Sequence, residues 1–352
     1  MARDNIIKNM NKHTRPLLTV AIPTWNRADY LVKNIEQILS QLGDLTHPIE
    51  ILISDNCSTD NTKDCVEEFL NKGLPIRYIR NSENIGPDLN IAQCFNQAAG
   101  QYVLIFGDDD LLIDGSLKHL ESLLARKSYG VVSVRAYGYD FDFRAEYPGG
   151  GEKLYEFVNS NEFIVKLGKF STLISVNIIS KDYLQGVDAS DYCGTNLVHI
   201  DLIYSAALKA PVNLYVDGYL VAYKRNNSGG YSFSDVFVDK FGAIVDKYID
   251  SGLSVDTKHK LESDMLIGYY PYYVLRLRLH GTEDLSIAYS RFNARFSRHW
   301  AFYCFVAPIF KLPKGFAITY GAISVFIGRV LTGDFRRGCA FVWVRLGKFI
   351  RH

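Results

Sequence analysis

The chain has 352 residues, 48% of them hydrophobic and 22% charged, which excludes a disordered chain and suffices for one large α/β domain with an extension, or for two domains. A formal net charge of +1 leaves no electrostatic footprint for nucleic acid, so none is expected as a partner. Six cysteines in a chain of this length are too sparse for a disulfide scaffold and, with no CxxC pair, read as mostly reduced thiols; the polar segment Met1 to Arg15 lacks the apolar core of a signal peptide.

Leu17 to Pro23 predicts a first strand, with Thr24-Trp25-Asn26-Arg27 as the loop behind it. Ala28 to Leu42 carries Leu31, Ile35, Ile38 and Leu42 at helical spacing. A second strand over Ile49 to Ser54 ends at Asp55-Asn56, and Ser58-Thr59-Asp60 reads as a turn or cap before a helix over Thr62 to Leu70. Ile76 to Ile79, Pro87 to Ala99 and Tyr102 to Phe106 follow as strand, helix and strand, and Ser116 to Leu124 as a helix. This alternation predicts a Rossmann-like, mostly parallel central sheet covered by helices.

Further on, Tyr129 to Tyr139 and Phe141 to Phe143 predict strands, Thr172 to Ile179 an apolar segment and Leu197 to Leu208 a helix. Leu214 to Tyr223 predicts another strand, followed by a Gly/Ser/Asn loop from Arg225 to Ser232. Phe233 to Gly252 and Lys258 to Leu279 predict helices. In the tail, Gly321 to Leu331 and Cys339 to Ile350 predict short apolar helices, and Asp334 is the only acid from Lys311 onward. No stretch of 18 residues is uninterrupted enough to predict a spanning helix. Basic groups beside aromatics suit an anionic membrane surface, or a partner subunit in a homo-oligomer.

The most informative motif is Asp108-Asp109-Asp110, placed after the apolar run Tyr102 to Phe106. A parallel sheet gathers its ligands at the carboxyl ends of its strands, and Asp55, Asn84 and the triplet all fall there. Three adjacent carboxylates repel one another, so a hard cation with a diphosphate ligand is their natural neutraliser. Asp55 is placed to accept a proton donor on a nucleobase ring. Gly86, in Asn84-Ile85-Gly86-Pro87-Asp88-Leu89-Asn90, lets backbone approach a ligand. The loop beginning at Arg225 suits closure over a donor, with Arg225 or Ser228 meeting phosphate. Candidates for a general base are His199, Asp191 and Asp201. Neither GxxxxGK nor GxGxxG occurs, so no P-loop or dinucleotide fingerprint is present.

Val20-Ala21-Ile22-Pro23-Thr24-Trp25-Asn26-Arg27, Glu50 to Asp60, Asn84-Ile85-Gly86 and Gly107-Asp108-Asp109-Asp110 stand in the order of the family 2 glycosyltransferases. The chain resembles that family, and within it the bacterial enzymes of O-antigen and surface polysaccharide synthesis. The resemblance implies a GT-A fold over 16–232, with a nucleotide-sugar half at 16–125 and an acceptor half at 126–232. A polar segment at 1–15 and a helical, partly basic and aromatic extension at 233–352 complete the organisation.

It further implies an inverting transfer from a nucleoside diphosphate sugar to a glycan hydroxyl, on an acceptor carried by a polyprenyl diphosphate lipid. The enzyme would be cytoplasmic, peripheral on the inner face of the membrane. Asp55 would contact the base, and Pro23, Thr24, Asn26, Arg27, Asn84, Gly86 and Asn90 would line the nucleotide. Asp108 would touch ribose, and Asp109, with Asp110 beside it, would hold Mn²⁺ or Mg²⁺. An Asp108/Asp110 pair at DxD spacing is the alternative. The family's Glu-Asp pair at the start of a later helix is missing; Asn196 to His199 stands in its place. Two rival readings are a nucleotidyltransferase or sugar-phosphate pyrophosphorylase, and a non-catalytic carbohydrate-binding protein. The first lacks its Gly-rich loop, and the second has no need of the acid triplet.

Overall fold

The computed structural model describes residues 15–225 and 230–333. The chain divides into two compact units, the first ending at Ser228 and leaving out Ile164–Lys169, which groups with the second from Gly229 on.

In the first unit, β1 (Leu18–Thr24), β2 (Ile49–Asp55), β3 (Ile76–Arg80) and β4 (Tyr102–Ile105) are parallel and ordered β3-β2-β1-β4. β1, β2 and β4 are near-continuous apolar runs because helices cover both faces. The helices between them are α1 (Ala28–Leu39), α2 (Thr62–Asn71) and α3 (Pro87–Gln97). Leu31, Ile35 and Ile38 of α1 are fully buried, as their spacing requires. α1 stops at Leu39, and Leu42 opens a separate short helical turn to Asp44. α3 begins at Pro87 after Gly86, whose φ of 85° favours glycine.

The sheet is extended by β5 (Leu111–Leu112), β6 (Val131–Tyr139), β7 (Leu154–Phe157), β8 (Asn177–Ser180) and β9 (Asn213–Lys224), with α4 (Ser116–Arg126), α5 (Ser160–Leu167) and α6 (Val198–Lys209) between them. Beyond β4 the order is β8-β6-β9-β5, with β7 also on β9. Here β4–β8, β6–β8, β5–β9 and β7–β9 pair antiparallel, and only β6–β9 parallel. The sheet is therefore parallel across β3-β2-β1-β4 and mixed beyond. Phe141–Phe143 forms no strand: it lies in a turn held by Glu146, whose carboxylate accepts N–H groups of Asp140, Phe141 and Asp142.

The second unit is helical: α7 (Phe241–Lys247), α8 (Val255–Gly268), α9 (Tyr270–His280), α10 (Leu285–Phe296), α11 (Ala307–Lys311) and α12 (Lys314–Leu331). Tyr270, Phe292, Phe296 and Phe302 fill its core. The helix expected over Lys258 to Leu279 is broken at Tyr269 (φ −122°, ψ −58°), because Pro271 lacks the N–H to continue the ladder. α12 begins seven residues before the predicted start at Gly321. Its 18 residues, at mean hydropathy 1.2, are long and apolar enough to cross a membrane by length and composition, which corrects the sequence expectation. Ala317, Gly321, Ser324 and Gly328 form its buried stripe, and Phe316, Ile323, Phe326, Ile327, Val330 and Leu331 are exposed. The helix expected over Cys339 to Ile350 lies outside the described residues.

Candidate active site

The register of β1 on β2 sets Thr24 beside Asp55, and that of β2 on β3 sets Asp55 beside Arg80. The acid triplet starts two residues past Phe106, whose N–H is still bonded to Ala21 of β1. These three strand ends therefore bring distant loops to one edge. Asp108 is buried and interlocked with the first loop: its Oδ2 accepts from Thr24 Oγ1 at 2.8 Å and its Oδ1 from Arg27 Nη1 at 3.0 Å. The same guanidinium nitrogen lies 3.4 Å from Asp109 Oδ2.

Gly107 decides how the acids pack. A Cβ at that position would lie 3.1 Å from Asp110 Oδ2 and 3.2 Å from Asp109 Oδ1, so oxygens of two carboxylates converge on the space that glycine leaves. The Gly107 N–H donates to Ser175 Oγ at 2.8 Å, and the Lys224 N–H to Asp110 Oδ1 at 3.3 Å. Burial pushes the Asp108 carboxyl up to about 6, against the pull of Arg27. Burial, then the charge of Asp109, raise Asp110 as well. These are carboxylates that a cation would stabilise as anions. Among the described residues, no group of three or more His, Cys, Asp and Glu side chains is gathered as a metal cage. Mg²⁺ and Mn²⁺ need no such cage, since one or two carboxylates and the phosphates of a ligand satisfy them. The converging oxygens of Asp109 and Asp110 fit that requirement.

Asp55 is fully buried. Its Oδ1 accepts from the Ser58 N–H at 2.8 Å; its Oδ2 accepts from Tyr78 OH at 2.6 Å and lies 3.3 Å from Arg80 Nε. The group at the end of β2 and β3 is thus a carboxylate, a phenol and a guanidinium rather than a lone acid. Asn26, at φ 54°, accepts from the Thr59 N–H at 2.7 Å and so ties the first loop to the second. Asn84 Oδ1 accepts from Asn56 Nδ2 and from the Gly86 N–H, shaping the turn into α3. Pro23 lies within the end of β1, and Asn90 is taken up by Ser54, through Ser54 Oγ at 2.6 Å and Ser54 O at 3.0 Å.

The three base candidates separate in space. Farther back along the chain before α6, Asp188 meets the last turn of α3, where Asn96 Nδ2 donates to it at 2.6 Å. Asp191 is exposed three residues on. The chain reaches the first turn of α3 at Gly194 and Asn196, whose N–H groups both donate to Asp88 Oδ2. His199 follows on α6, buried, with Nε2 3.2 Å from Thr172 O; burial pushes it down to about 4. Asp201 is buried two residues later, about 200° around the helix from His199. Arg225 is engaged by Asp140 Oδ2 at 2.7 Å and Glu146 Oε2 at 3.1 Å. Ser228 lies outside the described residues.

Sequence reasoning missed Asn34 and Ser175. Asn34 Nδ2 donates to Gly107 O at 2.9 Å and Asp110 O at 2.8 Å, bracketing the triplet from α1. Its signal was an amide at an inward position of an amphipathic helix. Ser175 comes from an irregular segment and carried none.

Residues 19–183 match the family model described as Glycosyl transferase family 2. The abequosyltransferase RfbV of Salmonella typhimurium is 33% identical over 209 residues, covering 54% of this chain and 60% of that protein. A GalNAc(5)-diNAcBac-PP-undecaprenol beta-1,3-glucosyltransferase of Campylobacter jejuni is 37% identical over 107 residues, covering 30% of this chain and 33% of that protein. The chain thus spans less than two thirds of the length of either relative. In fold, the structure of Staphylococcus aureus TarS residues 1–349 with UDP-GlcNAc matches at TM-score 0.60 and 17% identity, covering 91% of this chain and 92% of that one. With the strand-end acids, the linked loops and these likenesses together, residues 19–183 carry a glycosyl transferase family 2 domain, in a GT-A-like fold related to the enzymes of bacterial surface polysaccharide synthesis.

Proposed function

We propose that the chain transfers a sugar, with inversion, from a nucleoside diphosphate sugar to a hydroxyl of a glycan acceptor in surface polysaccharide synthesis. The observation that carries this is the interlock of Asp108 with Thr24 and Arg27, beside the converging oxygens of Asp109 and Asp110, at the carboxyl ends of parallel strands. In this reading Asp55, Tyr78 and Arg80 hold the base, and Asp108 with Thr24 the ribose. Arg27, beside Asp108 and Asp109, is the cation this reading assigns to the diphosphate. A Mn²⁺ or Mg²⁺ held by Asp109 and Asp110 would offset the charge gathering on the departing diphosphate.

His199 serves as the general base, because the chain before α6 meets the first turn of α3, the ligand side in this reading, just ahead of it, whereas Asp191 follows a contact with the far end. The undecaprenol diphosphate in the Campylobacter relative's name supports a polyprenyl-linked acceptor, and the activity of the Salmonella relative supports a hexose or deoxyhexose donor. The exposed apolar face of α12 then rests on the inner face of the cytoplasmic membrane, where such a lipid lies.

The test is a panel of UDP, dTDP, GDP and CDP sugars, deoxyhexoses included, each with Mn²⁺, followed by thermal shift and slow donor hydrolysis. One base class is expected to stabilise the protein, and Asp109→Asn to abolish that stabilisation. A folded protein that responds to no donor would overturn the reading.

A further inference from the structure

Two buried polar atoms, Nδ1 of the proposed base His199 and Oδ1 of Asp88, have no partner among the described residues. Unpaired groups of this kind are rare in a native interior and cost free energy. The other half of each side chain is fully used. Asp88 Oδ2 accepts from the Gly194 N–H at 2.7 Å and the Asn196 N–H at 2.9 Å, pinning the segment that leads into α6. His199 Nε2 lies 3.2 Å from Thr172 O. A carbonyl oxygen can only accept, so Nε2 carries the ring proton and Nδ1 is left with a bare lone pair. The charge of Asp88 favours the protonated ring, and α6 packs against α3, β6, β8 and two short helical turns.

We propose that Nδ1 is the basic atom of His199, and that Asp88 is its positioning residue. Asp88 fixes the backbone that aims the ring and supplies the negative charge that stabilises it once protonated. The proposal rests on the transferase reading. In the step it describes, the acceptor O–H bond breaks, its proton goes to Nδ1, and its electron pair forms the new C–O bond. The pair of the old C–O bond leaves with the nucleoside diphosphate. Asp88 touches no reacting atom; it acts through the ring.

The test does not need the substrate. In protein labelled with ¹⁵N-histidine, with His199 assigned through His199→Gln, the ring is expected to show Nε2–H and a bare Nδ1 at neutral pH. An Nδ1–H tautomer would overturn the assignment. In Asp88→Asn, whose side-chain oxygen can still accept from Gly194 and Asn196, the pH midpoint of His199 is expected to fall, because the stabilising charge is gone. An unchanged midpoint in a folded variant would remove Asp88 from the mechanism. Should that variant not fold, the tautomer of the wild-type ring still decides the first half. A positive result here with no response to any donor would fault the transferase reading alone.

Discussion

Asn34→Ala tests how the acid triplet is held. Asn34 is fully buried, and both of its hydrogen bonds run from Nδ2, to Gly107 O and Asp110 O. Truncation removes two net hydrogen bonds at about 1 kcal/mol each and leaves a small void worth about 1 kcal/mol more. It also removes the Asn34 Oδ1 atom, which is buried without a partner and whose loss returns about 1 kcal/mol. The expected net cost is about 2 kcal/mol. Asn34→Asp should be worse, at about 3–5 kcal/mol, because it sets a carboxylate against two carbonyl oxygens where no cation is paired with it. Urea unfolding in a Trp300→Phe, Trp343→Phe background leaves Trp25, in the first unit, as the only tryptophan reporter. Both variants should also weaken donor-induced stabilisation, since the turn that carries Asp109 and Asp110 loses its anchor. A cost below about 0.5 kcal/mol for Ala, or equal costs for Ala and Asp, would refute the bracketing role.

Two further outcomes follow from the same kind of accounting. Glu121 is buried, and although burial works against its charge, bonds from Lys118, Thr46 and His47 hold it down to about 2. A carboxyl held below its unfolded value stabilises the fold above that value and loses the contribution as pH falls toward the folded one. Stability should therefore drop by on the order of 2–3 kcal/mol between about pH 5 and pH 2, and Glu121→Gln should flatten that slope in acid unfolding curves. On the exposed face of α12, replacing Phe316, Ile323 and Phe326 together by Ser should reduce co-sedimentation with vesicles rich in anionic phosphatidylglycerol several-fold. Undiminished binding would place the lipid contact elsewhere, and a change of mass in light scattering would show that the face covers a second copy.

What the sequence made legible was local. Thr24, Arg27, Asp55 and the triplet each close a strand or follow it within a few residues, and parallel register alone carries such positions to one edge. The groups that fix those residues come from far along the chain: Asn34 lies 73 residues from Gly107, Ser175 lies 68, and the Lys224 N–H reaches Asp110 across 114. No periodicity encodes such pairings; they exist only once the sheet has closed. Arg225 shows the same limit from the other side. In sequence it is a free cation on a polar loop, suited to phosphate, yet in the fold Asp140 and Glu146 hold it, because 141–143 turns instead of extending β6.

The helical unit was misread for a different reason. Its hydrophobic pattern is sound, but a pattern does not register a missing donor, so the break before Pro271 reads as one continuous helix. The same reading starts α12 too late. The seven residues from Lys314 to Tyr320 hold only Phe316, Ala317, Ile318 and Tyr320 as apolar positions, whereas the buried stripe of Ala317, Gly321, Ser324 and Gly328 runs at a spacing of three to four across that point. Small residues let α12 approach closely: a Cβ on Gly328 would lie 2.0 Å from Ile267 O. The helix therefore spends its small side chains on its own unit and turns its large ones outward. That division leaves Phe316, Ile323, Phe326 and Leu331 exposed rather than in the core of the unit, which is why the vesicle experiment targets this face.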